Sequence, residues 1–390
     1  MLRFITAGES HGKCLIGVLE GLPAGLGVDT SFINLQLHRR QLGYGRGGRM
    51  KIEKDEIEIT SGVRQGMTLG SPISFIIANR DWDHWSIPMS IEKAPDGSNL
   101  RTVTRPRPGH VDLAGALKFQ THDIRDVLER ASARETAARV AAGGFCRLLL
   151  RHFGIGIGSH VVAIGKEHVA EQFENLPSEQ ILALDQESPL RCADPEAEQR
   201  MIALIDAAKK AGDSLGGVVE IVATSVPPGL GSHIQWDRKL DGLIAQSMMS
   251  IPSAKAVEIG NGMTASRLPG SAVHDEIFYD QGKRRFYRNT DRAGGIEGGI
   301  SNGSEIRVQV YLKPIPTLRK PLRSVDVLSK ESFDAAFERS DTCMVPAGGV
   351  VAEALLGIVL AGAFLEKFGG DSMKEVEANH ANFVRLLDEY

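Results

Sequence analysis

The stretch that most restricts the fold runs from Thr121 to Phe153, the strongest helical region of the chain. Within it Ala137, Ala138, Ala141 and Ala142 are followed by Gly143 and Gly144. A face this small lets another backbone come close, so the helix belongs inside the protein rather than on its surface. Ser132 with Glu135 three residues later matches a capping box. A helix starting there would aim free backbone N–H groups and the positive end of its dipole at the surroundings of Arg130 and Arg134. One continuous helix from about Asp123, with Ser132 interior, fits the same residues. Glu135 and Arg139 add an i,i+4 pair. A second apolar window, Ala354 to Leu365, is too short to span a bilayer and is followed at once by Glu366 and Lys367, so it reads as a buried helix.

Around these helices the pattern alternates. Strands are predicted at Leu2 to Thr6 and Cys14 to Leu19, and a helix at Val28 to Arg40. Lys51 to Thr60 and Ser71 to Ala78 read as neighbouring strands, with Ile57 and Ile59, then Ile73, Phe75 and Ile77, at period two. Arg80 to Gly109, interrupted by Pro88, Pro95, Pro106 and Pro108, reads as a long irregular excursion. Strands at Ser159 to Gly165 and Gly217 to Val226 alternate with helices at Glu196 to Ala211 and Asp237 to Ser250. Strand and turn material fills Val257 to Leu312, and helices are predicted around Glu331 to Arg339 and from Val350 onward. With no low-complexity linker and no fixed-period repeat, residues 1–390 are expected to form one intertwined α+β unit. A two-lobed duplication is the alternative.

Composition narrows the function. A net charge of -4 argues against binding nucleic acid through the overall field, so any basic cluster acts locally. Cys14, Cys146, Cys192 and Cys343 have no CxxC spacing, which disfavours a zinc site or a disulfide scaffold and suits a reducing cytosol. Met1 to Gly12 carries Arg3, Glu9 and His11 and does not read as a secretory signal.

One cluster stands out at Leu37 to Arg49, where Arg39, Arg40, Arg46 and Arg49 interleave with Gly43, Gly45, Gly47 and Gly48. Glycine allows close backbone approach, and each guanidinium matches a carboxylate or phosphate bidentately. The stretch alone fits an anion grip and a solvated basic loop alike. Two histidines sit beside glycines on predicted turns, His11 in Gly8-Glu9-Ser10-His11-Gly12 and His110 in Arg105-Pro106-Arg107-Pro108-Gly109-His110-Val111-Asp112. Turns present side chains to clefts, and imidazole titrates near neutrality, so both are acid/base candidates. No HxH, HExxH or HxxxH spacing joins them, which ranks a metal low. Ala293 to Gly303 lacks a Walker ending, Gly154 to Gly158 opens no convincing helix, and Lys313 to Thr317 suits a phosphate tail or a plain strand end. Arg339-Ser340-Asp341 sets a cation beside a carboxylate. Together these suit a small, multiply anionic substrate undergoing proton transfer with an anionic leaving group.

GESHG, GYGRGGR, RPGH with Asp112, RASARETA at Arg130 to Ala137, GGIEGGISNG, KPIPT, and RSD before VPAGGVVAEA occur in that order from Gly8 to Ala354. Jointly the motifs resemble those of the chorismate synthase family, of the compact bacterial type. The resemblance implies a β-α-β sandwich with helices layered between antiparallel sheets, a homotetramer, and conversion of 5-enolpyruvylshikimate-3-phosphate to chorismate by 1,4-anti elimination of phosphate with reduced FMN. It assigns His11 to protonating the leaving phosphate, His110 to the reduced flavin, and Asp341 to a proton relay at flavin N5. Arg40, Arg46, Arg49, Arg107 and Arg134 would face substrate, with Arg40 and Arg46 also the family's NADP positions. Flavin contacts carry over to Arg130, Ala131, Ser132, Pro252, Ser253, Gly298, Lys313, Pro314, Ile315, Pro316, Thr317 and Arg339. Two positions depart from the family. Ala131 replaces a common serine, which removes a hydroxyl contact, and Ile251-Pro252-Ser253 replaces a common Asn-Ala or Gln-Ala pair, leaving backbone contacts only.

The resemblance leaves two enzyme forms, one fed by a separate flavin reductase and one that reduces its own flavin with NADPH. A noncatalytic anion- or RNA-binding protein is the third reading, disfavoured by the acidic balance and the 6% aromatic content.

Overall fold

A computed structural model describes residues 1–47, 53–173, 176–184, 188–336 and 341–390. Two helices form its middle layer, Thr136–His152 and Val345–Phe368, packed against each other. The alanine face is the contact: Ala137, Ala138, Ala141 and Ala142 are fully buried. A Cβ on Gly143 would meet Ala354 at 2.5 Å, so the backbones touch where both residues are small. The Thr30–Gln41 helix joins this layer, started by Asp29, whose carboxylate accepts from Phe32 N at 3.1 Å.

An antiparallel sheet of Arg3–Ala7, Cys14–Glu20, Ile73–Ala78 and Glu58–Ile59, in that spatial order, covers one side. Alternation puts Leu15, Leu19, Ile73, Phe75 and Ile77 inward, where Phe75 packs against Phe145. Gly17 is required beneath Phe75, since a Cβ there would lie 2.1 Å from the ring. The other side is a five-stranded antiparallel sheet ordered Ala254–Ile259, Ile306–Leu312, Gly217–Thr224, Gly156–Ile164 and Glu167–His168. The architecture is therefore sheet, helices, sheet, of the α+β class. Val345–Phe368 is long and apolar enough to cross a membrane, but 83% of its most apolar window is buried in this core.

A carboxylate sits at the centre of this apolar layer. Glu353, fully buried, receives Arg39 at 2.6 and 2.9 Å, Arg147 at 2.8 Å, Arg191 at 3.0 Å and the Ser159 hydroxyl at 2.7 Å. Burial would raise its pKa, and the three guanidiniums hold it well below the usual range instead.

Several expectations are corrected. The Thr121 to Phe153 region is neither one helix nor a helix opened by a capping box. Arg125–Ala131 ends at Ser132, whose ψ of 140° is extended, a single 3-10 turn Ala133–Glu135 follows, and the long helix starts at Thr136. Ser132 does cap, accepting from Arg134 N at 3.3 Å. The helix expected around Glu331 to Arg339 is absent among the described residues: Ser332–Asp334 is a strand paired with Arg323–Val325, and 337–340 lie outside them. Of the strand expected over Lys51 to Thr60, residues 51 and 52 lie outside the described residues and only Glu58–Ile59 pairs. Between them the chain leaves the sheet to bury Glu53 and Asp55 beside arginines. The last apolar helix begins at Val345 rather than Val350, with Pro346 in its first turn.

Candidate active site

A cavity of about 540 Å³ opens where the end of the Thr30–Gln41 helix, the Ser132 break, the 105–112 turn, the 313–317 segment and the start of the apolar helix converge. His11, His110, Asp341, Arg40, Arg46, Arg107 and Arg134 all line it. The described residues bring these seven positions, spread across most of the sequence, into one cleft.

His11 is presented by a turn that needs glycine: Gly8 has φ +99°, and a Cβ there would lie 2.4 Å from Cys14 O. Its Nδ1 lies 2.9 Å from both oxygens of Glu129, and its backbone N–H donates to the same carboxylate at 2.9 Å. Arg125 backs Glu129 at 2.8 Å, and the Trp85 ring stacks on the imidazole at 3.9 Å. Burial would raise the Glu129 carboxyl, but hydrogen bonds and charge from His11, then the charge of Arg125, hold it low.

His110 has a parallel arrangement. Its Nδ1 lies 2.5 Å from Oδ1 of fully buried Asp112, which also accepts from Arg107 Nε at 2.8 Å and Nη2 at 3.0 Å. Against the upward push of burial, bonds from His110 and Arg107 keep the Asp112 carboxyl far below its usual range. Arg107 continues to Thr317 Oγ1 at 3.0 Å, and Lys313 Nζ donates to Gly109 O at 2.9 Å.

The arginine-glycine stretch is pinned over its described part. Asp341 accepts from Gly47 N at 2.6 Å and Arg46 Nη1 at 2.9 Å, and Thr342 N donates to Gly45 O at 2.8 Å. Gly45, at φ +86°, passes so near Cys343 that a side chain would meet its backbone at 3.3 Å. Residues 43–47 are thus pinned beside the cleft, with Arg46 on its wall, rather than forming a solvated loop. Arg49 lies outside the described residues, as does Arg339.

Arg40 and Arg134 share Asp55, at 2.7 and 2.5 Å, and Arg134 also reaches Asn79 Oδ1 at 3.0 Å. Burial lowers the pKa of Arg40, Asp55 opposes that, and Arg134 and Arg46 repel it further. Its Nε is buried with no hydrogen-bond partner among the described residues.

Ala131, Ser132, Pro252, Ser253, Lys313, Ile315, Pro316 and Thr317 also line the cavity. Arg130, Pro314 and Gly298 do not. The Arg130 guanidinium instead binds Gly8 O and Thr6 O at 3.1 and 2.9 Å, tying the His11 turn to its helix, and Gly298 sits exposed on the hairpin of Ile296–Glu297 with Ile300–Ser301. Sequence patterns did not flag Glu129, Trp85, Asp55 or the apolar wall of Met344, Ala347 and Val351. Glu129 directly precedes the RASARETA motif, and Ala347 and Val351 lie within VPAGGVVAEA, the nearest signals to them; Trp85, Asp55 and Met344 have none.

Comparison with known proteins gives one family. The family model for chorismate synthase matches residues 2–365. The chain is 52% identical to the chorismate synthase of Geobacter metallireducens over 396 residues, covering 100% of both proteins, and 55% identical to that of Aquifex aeolicus, covering 100% of this chain and 99% of the relative. A crystal structure of chorismate synthase superposes with a TM-score of 0.80 at 44% identity, covering 100% of this chain and 99% of that one.

Proposed function

The chain belongs to the chorismate synthase family, and from that premise we propose that the cleft holds 5-enolpyruvylshikimate-3-phosphate and carries out the 1,4-elimination of phosphate that yields chorismate. The observation that carries the assignment is the convergence of two carboxylate-held histidines, Asp341 and four arginines on one cavity of about 540 Å³.

The substrate bears two carboxylates and a phosphate, and the cleft offers Arg40, Arg46, Arg107, Arg134 and Lys313 against them. The same cleft suits FMN. Cationic side chains meet an apolar wall of Ile315, Pro316, Met344, Ala347 and Val351, and the buried Nε of Arg40 has no acceptor among the described residues, one that an anionic ligand would provide. Lys313, Ile315, Pro316, Thr317, Ala131, Ser132, Pro252 and Ser253 would hold it. Reduced FMN supplies the electron-rich ring system the family's elimination depends on, without net redox change.

His11 delivers a proton from Nε2 to the departing phosphate, because its Nδ1 is taken by Glu129. Arg107 and Asp112 hold the His110 ring in place at the cleft, where His110 would act on the reduced flavin. Asp341, anchored by Gly47 and Arg46, carries the lost ring proton away at its carboxylate oxygens. The protein acts as a single unit over 1–390, in the cytoplasm, as a homotetramer supplied with reduced FMN by a separate flavin reductase.

Purified protein given substrate and dithionite-reduced FMN under anaerobic conditions is expected to release phosphate and form chorismate in equal amounts. NADPH alone is expected to support no turnover. Absence of product with reduced FMN overturns the assignment, and turnover on NADPH alone overturns only the need for a reductase.

A further inference from the structure

We propose that Glu129 is a positioning residue for the elimination: it fixes the orientation and tautomer of His11 so that Nε2 is the ring nitrogen presented to the leaving phosphate. The inference rests on the assignment of His11 as proton donor. Glu129 grips His11 at three points, both carboxylate oxygens to Nδ1 and Oε2 to the backbone N–H, all at 2.9 Å. Its own backbone carbonyl accepts from Ser10 N at 2.9 Å, so the Glu129 residue fixes the turn as well as the ring. Only 1% of its side chain is exposed. A buried carboxylate beside Nδ1 demands a donor there, and the hydrogen bonds of the His11 ring among the described residues are made at Nδ1 alone.

Trp85 locks the ring plane from a second direction, stacked at 3.9 Å with 20° between planes. Trp85 is itself held, its Nε1–H donating to Asp81 Oδ2 at 3.2 Å and Arg101 lying 4.0 Å over its ring. In the transfer the Nε2–H bond breaks, its electrons stay in the ring, and an O–H bond forms on the phosphate as its C–O bond breaks. The ring that remains is neutral with its proton on Nδ1, the form that Glu129 binds without ever becoming protonated.

Glutamine at 129 discriminates this role from packing. Both oxygens of Glu129 already accept, Oε1 from Arg125 and Oε2 from the His11 backbone, whereas glutamine has one acceptor. If its oxygen keeps Arg125, the NH2 group takes the place of Oε2 beside Nδ1, and the single remaining acceptor is shared between Arg125 and Nδ1, which shifts the ring towards the opposite tautomer.

The experiment pairs kinetics with nitrogen-15 NMR of His11. In the intact protein the neutral ring is expected to carry its proton on Nδ1. Glu129→Gln should move it to Nε2 and lower kcat by about a hundredfold or more with KM unchanged, and Glu129→Asp should restore much of the loss. A neutral ring already protonated on Nε2 in the intact protein overturns the proposal, and that measurement stands even if Glu129→Gln fails to fold. Equal losses for Gln and Asp, or a parallel rise in KM, reduce Glu129 to packing. If the intact protein makes no chorismate, the functional assignment falls while the tautomer is still read directly.

Discussion

Arg40 and Arg134 line the cleft with much of their charge already answered by Asp55, and Arg46 is shared with Asp341. An entering anion therefore meets donors held in fixed geometry rather than a bare cluster of positive charge, the preorganisation that favours developing negative charge in a transition state. Asp341→Asn tests one of these pairs. Asparagine can still accept from Gly47 N–H, so the wall should stay in place and FMN affinity, followed by fluorescence quenching, should hold. kcat should fall by roughly tenfold or more. Unchanged elimination kinetics would leave Asp341 as a pin for the wall. At this scale the sequence disclosed what local context marks: His11 and His110 announce themselves by flanking glycines. Glu129, Asp55 and Glu353 are single acids whose partners lie up to 314 residues away, and no local pattern marks such a pairing.

Between elements, the determinant is how near the two central helices lie. Gly143→Ala places a methyl 2.5 to 2.6 Å from Ala354, so overpacking of about 1–3 kcal/mol should outweigh the gain in helix propensity. Gly242→Ala in the Leu240–Met249 helix is the control, with its nearest neighbour at 3.8 Å. Thermal denaturation should show a Tm lowered by a few degrees for the first variant, about 2–4 °C per kcal/mol, and unchanged or raised for the second; equal shifts would contradict the packing. The small-residue face of this helix was visible in the sequence, and so were the long strands. The hairpin at 323–325 and 332–334 was not, because three-residue strands carry no periodicity. Nor was the choice at Ser132 visible, since a helix interior and a break both accept serine.

Across the molecule, four buried carboxyls, Asp55, Asp112, Glu129 and Glu353, have folded pKa values held below their unfolded ones by arginine or histidine. Their stabilisation is fully present above the unfolded carboxyl range, about pH 4 to 5, and is lost as pH falls through the depressed folded values. Asp291 works the other way: burial raises it to about 6, so its contribution weakens as pH rises from about 4 to that value. Because the depressed carboxyls outweigh Asp291, stability should be nearly level from neutrality to about pH 5 and then fall steeply. Urea titrations at stepped pH would show it, and stability that persists or grows at pH 3 would contradict it. The sheet-helix-sheet layering itself came from the family resemblance and not from periodicity, because which strands pair is decided by non-local contacts.

The clasp around Glu353 also has a consequence in time. Arg39, Arg147 and Arg191 leave the ribosome well before the acid that joins them, and at about 5–20 residues per second the 314 residues from Arg39 to Glu353 take about 15–60 s to make. During that interval the nascent chain holds three arginines bound for its interior with no common counter-ion, and strands whose covering helix does not yet exist. Folding of the core is thereby coupled to synthesis of the Val345–Phe368 helix, which closes over strands made well before it.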